Sequence, residues 1–157
     1  MFHVRRVKNR SMEPTLKDNF LILTKTFKLA TRGKIVTFQN PKSGSETLIK
    51  RIVAIKGDNL EIKDGSILLN GVSLEEPYIS NLPKTMTLEE NFNWNLKDDS
   101  VVVLSDNRLG GNFDSRIFGN IKTEHLLEEF VTKLWPIKVP KPRKVVHNYD
   151  FSNIIHR

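Results

Sequence analysis

Apolar residues in this chain fall in short runs of strand length, separated by turn-forming residues, with almost no helical period. Residues 20–24 (Phe-Leu-Ile-Leu-Thr) form one such run, and residues 34–38 (Lys-Ile-Val-Thr-Phe) form another after the break at Gly33. Residues 47–55 are rich in β-branched side chains and end at the turn cluster Lys56-Gly57-Asp58-Asn59, a strand followed by a breaker. Asp64-Gly65 separates residues 60–62 from 67–69, and Asn70-Gly71 separates that run from 72–74. Asx-Gly pairs supply the positive φ angles that tight hairpins require, so two successive hairpins are predicted. Residues 101–104, three valines and a leucine, predict a strand buried on both faces.

The remainder is less regular. Residues 75–99 carry Pro77 and Pro83 among many Asn, Glu and Asp residues and read as a variable loop or cap. One good helix candidate exists, over 123–130 with Thr123 as its N-cap. Residues 136–157 hold Pro136, Pro140 and Pro142 without an amphipathic period and are expected to extend as a tail. The pattern predicts a mainly β fold with one or two short helices.

Composition narrows the function classes. At 157 residues the chain is the size of one domain with room for an inserted subdomain, and buries roughly 70% of its unfolded surface. Its 38% hydrophobic and 27% charged content excludes disorder. The absence of cysteine excludes disulfides and thiolate metal sites. His3, His125, His147 and His156 have no metal-ligating spacing, so no metal and no cofactor is expected. Gly110-Gly111 lacks the strand, glycine loop and lysine of a phosphate cradle. No apolar run approaches the roughly 18 residues of a membrane-spanning helix.

The net charge of +7 is unevenly placed. Residues 1–10 carry Arg5, Arg6, Lys8 and Arg10, and residues 133–157 carry six basic residues against Asp150, while the middle is nearly neutral. Basic ends suit nucleic acid, an anionic lipid surface, or plain solvation. Few aromatics interleave with either cluster, which argues against a nucleic-acid partner.

Three segments carry candidate chemistry. In Ser11-Met12-Glu13-Pro14-Thr15-Leu16 the proline predicts a fixed turn that presents the Ser11 hydroxyl, either as a nucleophile or as an ordinary turn serine. In the strand around Lys50, alternation places the lysine on one face with Leu48, Ile52 and Ala54. Such a lysine either snorkels to water or is desolvated, which lowers its pKa and lets the neutral amine act as a base toward serine. The third segment, Ser105-Asp106-Asn107-Arg108 through Asp114-Ser115-Arg116, reads as a buried ion network that fixes geometry or as a polar surface turn.

Together and in order, these segments resemble type I signal peptidases, membrane-bound serine peptidases that remove signal peptides. The residues 11–16 resemble the family's Ser-Met-x-Pro-Thr nucleophile motif. Gly33 through Phe38 is similar to its Gly-Asp-Ile-Val strand, and Lys50 through Asp58 to its lysine-base motif. Asn70-Gly71 through Glu76-Pro77-Tyr78 resembles an Asn-Gly…Glu-Pro-Tyr stretch. Asp106-Asn107-Arg108…Asp114-Ser115-Arg116 resembles Gly-Asp-Asn-Arg…Ser-x-Asp-Ser-Arg, and Trp135-Pro136 a segment near the family's C-terminus. Ser11 and Lys50 lie 39 positions apart.

The resemblance implies an antiparallel β-sheet catalytic core over residues 1–58 and 100–136, an inserted cap over 59–99 and a basic tail over 137–157. It implies a Ser11 nucleophile, a Lys50 general base, and an oxyanion hole from the Ser11 N–H with help from Asn9. Val7, Met12, Leu16, Leu48 and Ile49 would line shallow pockets for small residues. Arg51, Asp106, Asn107, Arg108, Asp114, Ser115 and Arg116 would form the active-site scaffold. The implied partners are signal-peptide-bearing preproteins and an anionic membrane surface met by the basic N-terminus, with the protein a monomer. The implied location is the extracytoplasmic face of a bacterial membrane, held by an N-terminal helix that this chain lacks. One departure is that five residues, without a serine, separate Arg108 from Asp114, where relatives have four including a lysine-orienting serine. That departure motivates an alternative expectation, a catalytically weak assembly chaperone for surface proteins. A self-cleaving repressor-type peptidase is disfavoured, because the chain holds no Ala-Gly site.

Overall fold

The computed structural model describes residues 1–81, 84–85, 87, 91–109 and 113–134. The sequence-predicted tail and Gly110-Gly111 lie outside the described residues. The described residues form two antiparallel sheets. The strands are β1 (Phe2–Arg6), β2 (Leu21–Thr26), β3 (Ile35–Gln39), β4 (Thr47–Ala54), β5 (Asn59–Lys63) and β6 (Ser66–Leu69). They continue with β7 (Val72–Ser73), β8 (Asn91–Asn95), β9 (Ser100–Leu104), β10 (Ile121–Lys122) and β11 (Leu126–Leu134). A seven-stranded sheet has the order β1-β2-β11-β3-β4-β9-β10, and a four-stranded sheet the order β7-β6-β5-β8. The mainly β, antiparallel expectation is met.

Both hairpins form as the Asx-Gly pairs require. Asp64 and Gly65 have φ of 49° and 74°, and Asn70 and Gly71 have 53° and 79°, the double positive φ of a two-residue turn whose twist matches the strands. The β9 strand is buried along its whole length. It pairs with β4 on one side and β10 on the other, so neither its faces nor its ladder groups meet water.

The helix expected over 123–130 does not form. Thr123–His125 is a single 3-10 turn, with Lys122 rather than Thr123 at the N-cap position and no side-chain cap, and the chain then enters β11. The Leu-Leu-Glu-Glu-Phe pattern reads as helical because its two acids look like a solvated face. In the fold both acids are buried, 6% and 5% exposed, because cations distant in sequence reach them. Arg5 and Thr24 bond Glu128, and Lys25 and Lys34 pair with Glu129. Long-range pairing of β11 with β2 and with β3 overrides local helical propensity, with bulges at Leu126/Glu128 and Phe130/Thr132 absorbing the mismatch. The irregular stretch 75–99 contributes a 3-10 turn at Pro77–Ile79 and the strand β8. Among the described residues the one α-helix is the four-residue α1 (Ser115–Phe118).

Three apolar clusters hold the elements. One joins the small sheet to the ends of β4 and β9 through Val53, Ala54, Leu60, Ile62, Val102 and Leu104. A second fills the large sheet around Val36, Phe38, Ile52, Val101 and Val103. The third packs Val7, Met12 and Leu16 against Ile22 and Ile35, fastening the loop that carries Ser11. The alternation around Lys50 holds for Leu48 and Ile52, which share the second cluster. It ends at a bulge between Ile52 and Ala54, past which Val53 and Ala54 both enter the first cluster. No helix among the described residues is long and apolar enough to cross a membrane.

Candidate active site

The loop between β1 and β2 is closed at its base by Val7 N–H to the Phe20 carbonyl (2.8 Å) and Asn19 N–H to the Val7 carbonyl (2.9 Å). Asn9 sits at φ 68°, a left-handed conformation that asparagine tolerates better than most residues, and its N–H donates to Asp18 Oδ1 (2.9 Å). The turn contains a cis Glu13-Pro14 bond. Met12 and Leu16 have no exposed surface and act as apolar pegs, each contributing roughly 1.5–3 kcal/mol of burial. Ser11 is thereby held at the surface end of a packed segment.

Lys50, in β4, is 2% exposed. Its Nζ lies 2.9 Å from Ser11 Oγ and donates to the Ile49 carbonyl at 2.8 Å. The desolvated alternative for this lysine is therefore the one realised. Burial depresses its pKa to about 8, opposed by Asp114 and Asp106 and reinforced by Arg116. A large fraction of the amine is neutral near pH 8, within reach of a serine hydroxyl, which is the geometry of an activated nucleophile.

The third segment is a buried ion network, not a surface turn. Asp106, with no exposed surface, accepts from Arg51 Nε (2.8 Å) and a second guanidinium nitrogen (2.7 Å). Arg51 also donates to the Gly33 carbonyl (2.8 Å). Burial lowers the Arg51 pKa, and the pairing with Asp106 outweighs it to give a net rise. The Asn107 N–H donates to the Ser11 carbonyl (2.9 Å), so the segment after β9 grips Ser11 itself. Asp114 accepts from Arg116 (2.9 and 2.6 Å) and from Ser105 N–H (2.9 Å). Burial pushes its carboxyl up, but these donors hold it below its ordinary value. Ser115 Oγ accepts from Val103 N–H (2.9 Å), and Arg116 donates to the Arg108 carbonyl (2.9 Å). Each ion here has a partner and satisfied hydrogen bonds, which fixes geometry more than it adds stability.

The other expected residues are less uniformly placed. Leu48 and Ile49 are half-buried, whereas Val7, Met12 and Leu16 are core. Asn9 is exposed. Of the basic N-terminus, Arg5 is taken by Glu128 and Arg10 by Glu13 (3.0 Å), while Arg6 and Lys8 stay exposed.

Two residues belong to this constellation although no role was read for them. Glu76 pairs with Arg108, and the Tyr78 ring lies 3.8 Å beneath the Arg51 guanidinium. Their only signal in the sequence is the Glu-Pro-Tyr stretch. Ile49, expected only as pocket lining, also holds Nζ through its carbonyl, a backbone contact that leaves no trace in residue identity.

The β fold thus places a serine hydroxyl 2.9 Å from a buried lysine amine, beside a network of paired Asp and Arg side chains. Residues 1–135 match the family model described as signal peptidase, peptidase S26. A Synechocystis probable signal peptidase I-2 is 34% identical over 143 residues, covering 85% of this chain and 63% of that protein. Signal peptidase IB of Staphylococcus aureus is 28% identical over 165 residues, covering 94% and 82%. A signal peptidase I structure from Enterococcus faecalis aligns with TM-score 0.55 and 28% identity, over 68% of this chain and all of that one. The chain belongs to the signal peptidase family, whose business is signal-peptide processing.

Proposed function

We propose that this chain is a serine endopeptidase that removes N-terminal signal peptides with Ser11 as nucleophile and Lys50 as general base. The observation that carries the reading is the 2.9 Å separation of Lys50 Nζ and Ser11 Oγ at a lysine only 2% exposed.

In this mechanism the neutral Lys50 amine takes the Ser11 proton as Oγ attacks the scissile carbonyl. The developing oxyanion is met by the Ser11 N–H, with the Asn9 amide as a second donor. The Lys50 ammonium then protonates the leaving amine, the acyl chain remains on Ser11 Oγ, and water, activated by Lys50, releases it. Arg51, Asp106, Asn107, Arg108, Asp114, Ser115 and Arg116 hold the two strands and the loop in register. Leu48 and Ile49, which keep accessible surface, contact the small residues before the cut. Val7, Met12 and Leu16 form the floor behind them. The substrate lies extended and adds main-chain hydrogen bonds to a strand edge. Arg6 and Lys8 face an anionic bilayer on the extracytoplasmic side of the membrane.

The test is cleavage of a preprotein bearing a small-x-small site, followed by mass spectrometry of the two products. Ser11→Ala and Lys50→Ala are each expected to abolish the cut. Full rate in Lys50→Ala rules the dyad out, and tight binding of the preprotein with no cut by the native chain points to the chaperone alternative.

A further inference from the structure

The turn Glu76-Pro77-Tyr78 lies between β7 and β8 of the small sheet, yet its two side chains reach the arginines that flank both halves of the dyad. We propose that Tyr78 and Glu76 are positioning residues for catalysis, a two-branched strut by which the small sheet sets the separation of Ser11 and Lys50. The inference rests on the Ser11–Lys50 reading above.

One branch runs to the nucleophile. The Tyr78 ring stacks 3.8 Å from the Arg51 guanidinium carbon, a cation–π contact that restricts the arginine to one plane. That plane is the one in which Arg51 chelates Asp106 at 2.8 and 2.7 Å. Asp106 precedes Asn107, whose N–H holds the Ser11 carbonyl at 2.9 Å. The other branch runs to the base. Glu76 Oε2 accepts from Arg108 at 2.8 Å, and its other oxygen from a second guanidinium nitrogen. Arg108 has no exposed surface and needs that countercharge. The Arg108 carbonyl in turn accepts from Arg116 at 2.9 Å, and Arg116 with Asp114 sets the field at Lys50. The Tyr78 hydroxyl donates to Glu76 and ties the branches together. Burial, with Glu76 beside it, raises the phenol pKa, so the hydroxyl remains a donor throughout the working pH range.

Geometry is the reason such a strut matters. Displacing reacting groups by about 1 Å costs on the order of 100-fold in rate without weakening substrate binding. Neither Tyr78 nor Glu76 touches Ser11 or Lys50, so their loss acts through kcat.

The test measures kcat and KM for preprotein cleavage in Tyr78→Leu, Tyr78→Phe and Glu76→Gln, with Phe92→Leu as a control. Phe92 stacks on Trp94 in the same small sheet and is outside the strut. The expected result is a fall in kcat of about 10-fold in Tyr78→Leu and Glu76→Gln with KM within about 2-fold. Tyr78→Phe, which keeps the ring over Arg51, recovers most of the rate. Phe92→Leu, compared at equal loss of thermal stability, keeps its kcat. An unchanged kcat in Tyr78→Leu and Glu76→Gln overturns the inference, and so does an equal kcat loss in Phe92→Leu. Ser11→Ala is assayed alongside. Abolished cleavage there together with unaltered strut variants sinks the strut alone, whereas cleavage surviving in Ser11→Ala sinks both readings.

Discussion

Lys50→Met separates what the buried amine does for chemistry from what it costs the fold. Methionine keeps the length of the side chain in a site only 2% exposed and removes the ammonium. The lysine pKa falls from 10.5 in the unfolded chain to about 8 in the fold, mainly through burial. Below pH 8 both states bind the proton, and the fold bears the full cost of holding a cation out of water. At about 1.36 kcal/mol per pKa unit this cost is about 3 kcal/mol. Between pH 8 and 10.5 the unfolded state holds more protons than the native state, so native stability climbs with pH and the cost disappears. The substitution also forfeits the hydrogen bond to the Ile49 carbonyl at 2.8 Å, about 1 kcal/mol. Lys50→Met is therefore expected to be more stable than the native chain by about 2 kcal/mol at pH 7, a rise of roughly 4–8 °C in Tm for a domain of this size. At pH 10.5 that advantage vanishes, and cleavage is absent throughout. Urea unfolding of both proteins at the two pH values measures the difference directly, and groups titrating alike in both cancel. A stability difference that stays constant from pH 7 to 10.5 refutes the buried, depressed lysine.

Further outcomes follow from the same geometry. The kcat/KM of the native chain rises with pH through an apparent pKa near 8, because only neutral Lys50 can take the Ser11 proton; this is read from initial rates across pH. Met12→Ala empties a fully buried site beneath Ser11 and is expected to cost about 2–5 kcal/mol in urea unfolding. Glu128 is held below its ordinary pKa chiefly by the Arg5 hydrogen bond. Its contribution is present above its unfolded value of 4.5 and fades as pH falls through its lower folded value. Glu128→Gln is thus expected to lower Tm at neutral pH and to flatten the loss of Tm on acidification, as followed by circular dichroism.

The hairpins at Asp64-Gly65 and Asn70-Gly71 were legible because turn chemistry is local: two residues specify two positive φ angles. The buried strand β9 was legible because an unbroken apolar run has nowhere to go but inside. The β11 strand was not, because its Glu128 and Glu129 become core residues only when Arg5 from β1, Lys25 from β2 and Lys34 from the turn before β3 reach them. Alternation located Lys50 on an apolar face, but the bulge after Ile52 lies in the pairing with β9 and has no signature within β4. Glu76 and Tyr78 carried no assignable role, since their partners Arg108 and Arg51 are 32 and 27 positions away and are met only through the fold.

Residue order by itself determined that the chain is a β protein, through short-range rules of periodicity and turn formation. It offered Ser11, Lys50 and the paired Asp/Arg residues as candidates, and only the order of motifs resembling the signal peptidase family gave them roles. Tertiary structure decided that those groups lie together. Whether Lys50 snorkels or is stripped of water depends on what covers it, and so does its proton affinity. Its distance to Ser11 is set by a packed loop, two ion pairs and a turn from the other sheet. Such separations come from the sum of many long-range contacts, which no local pattern encodes.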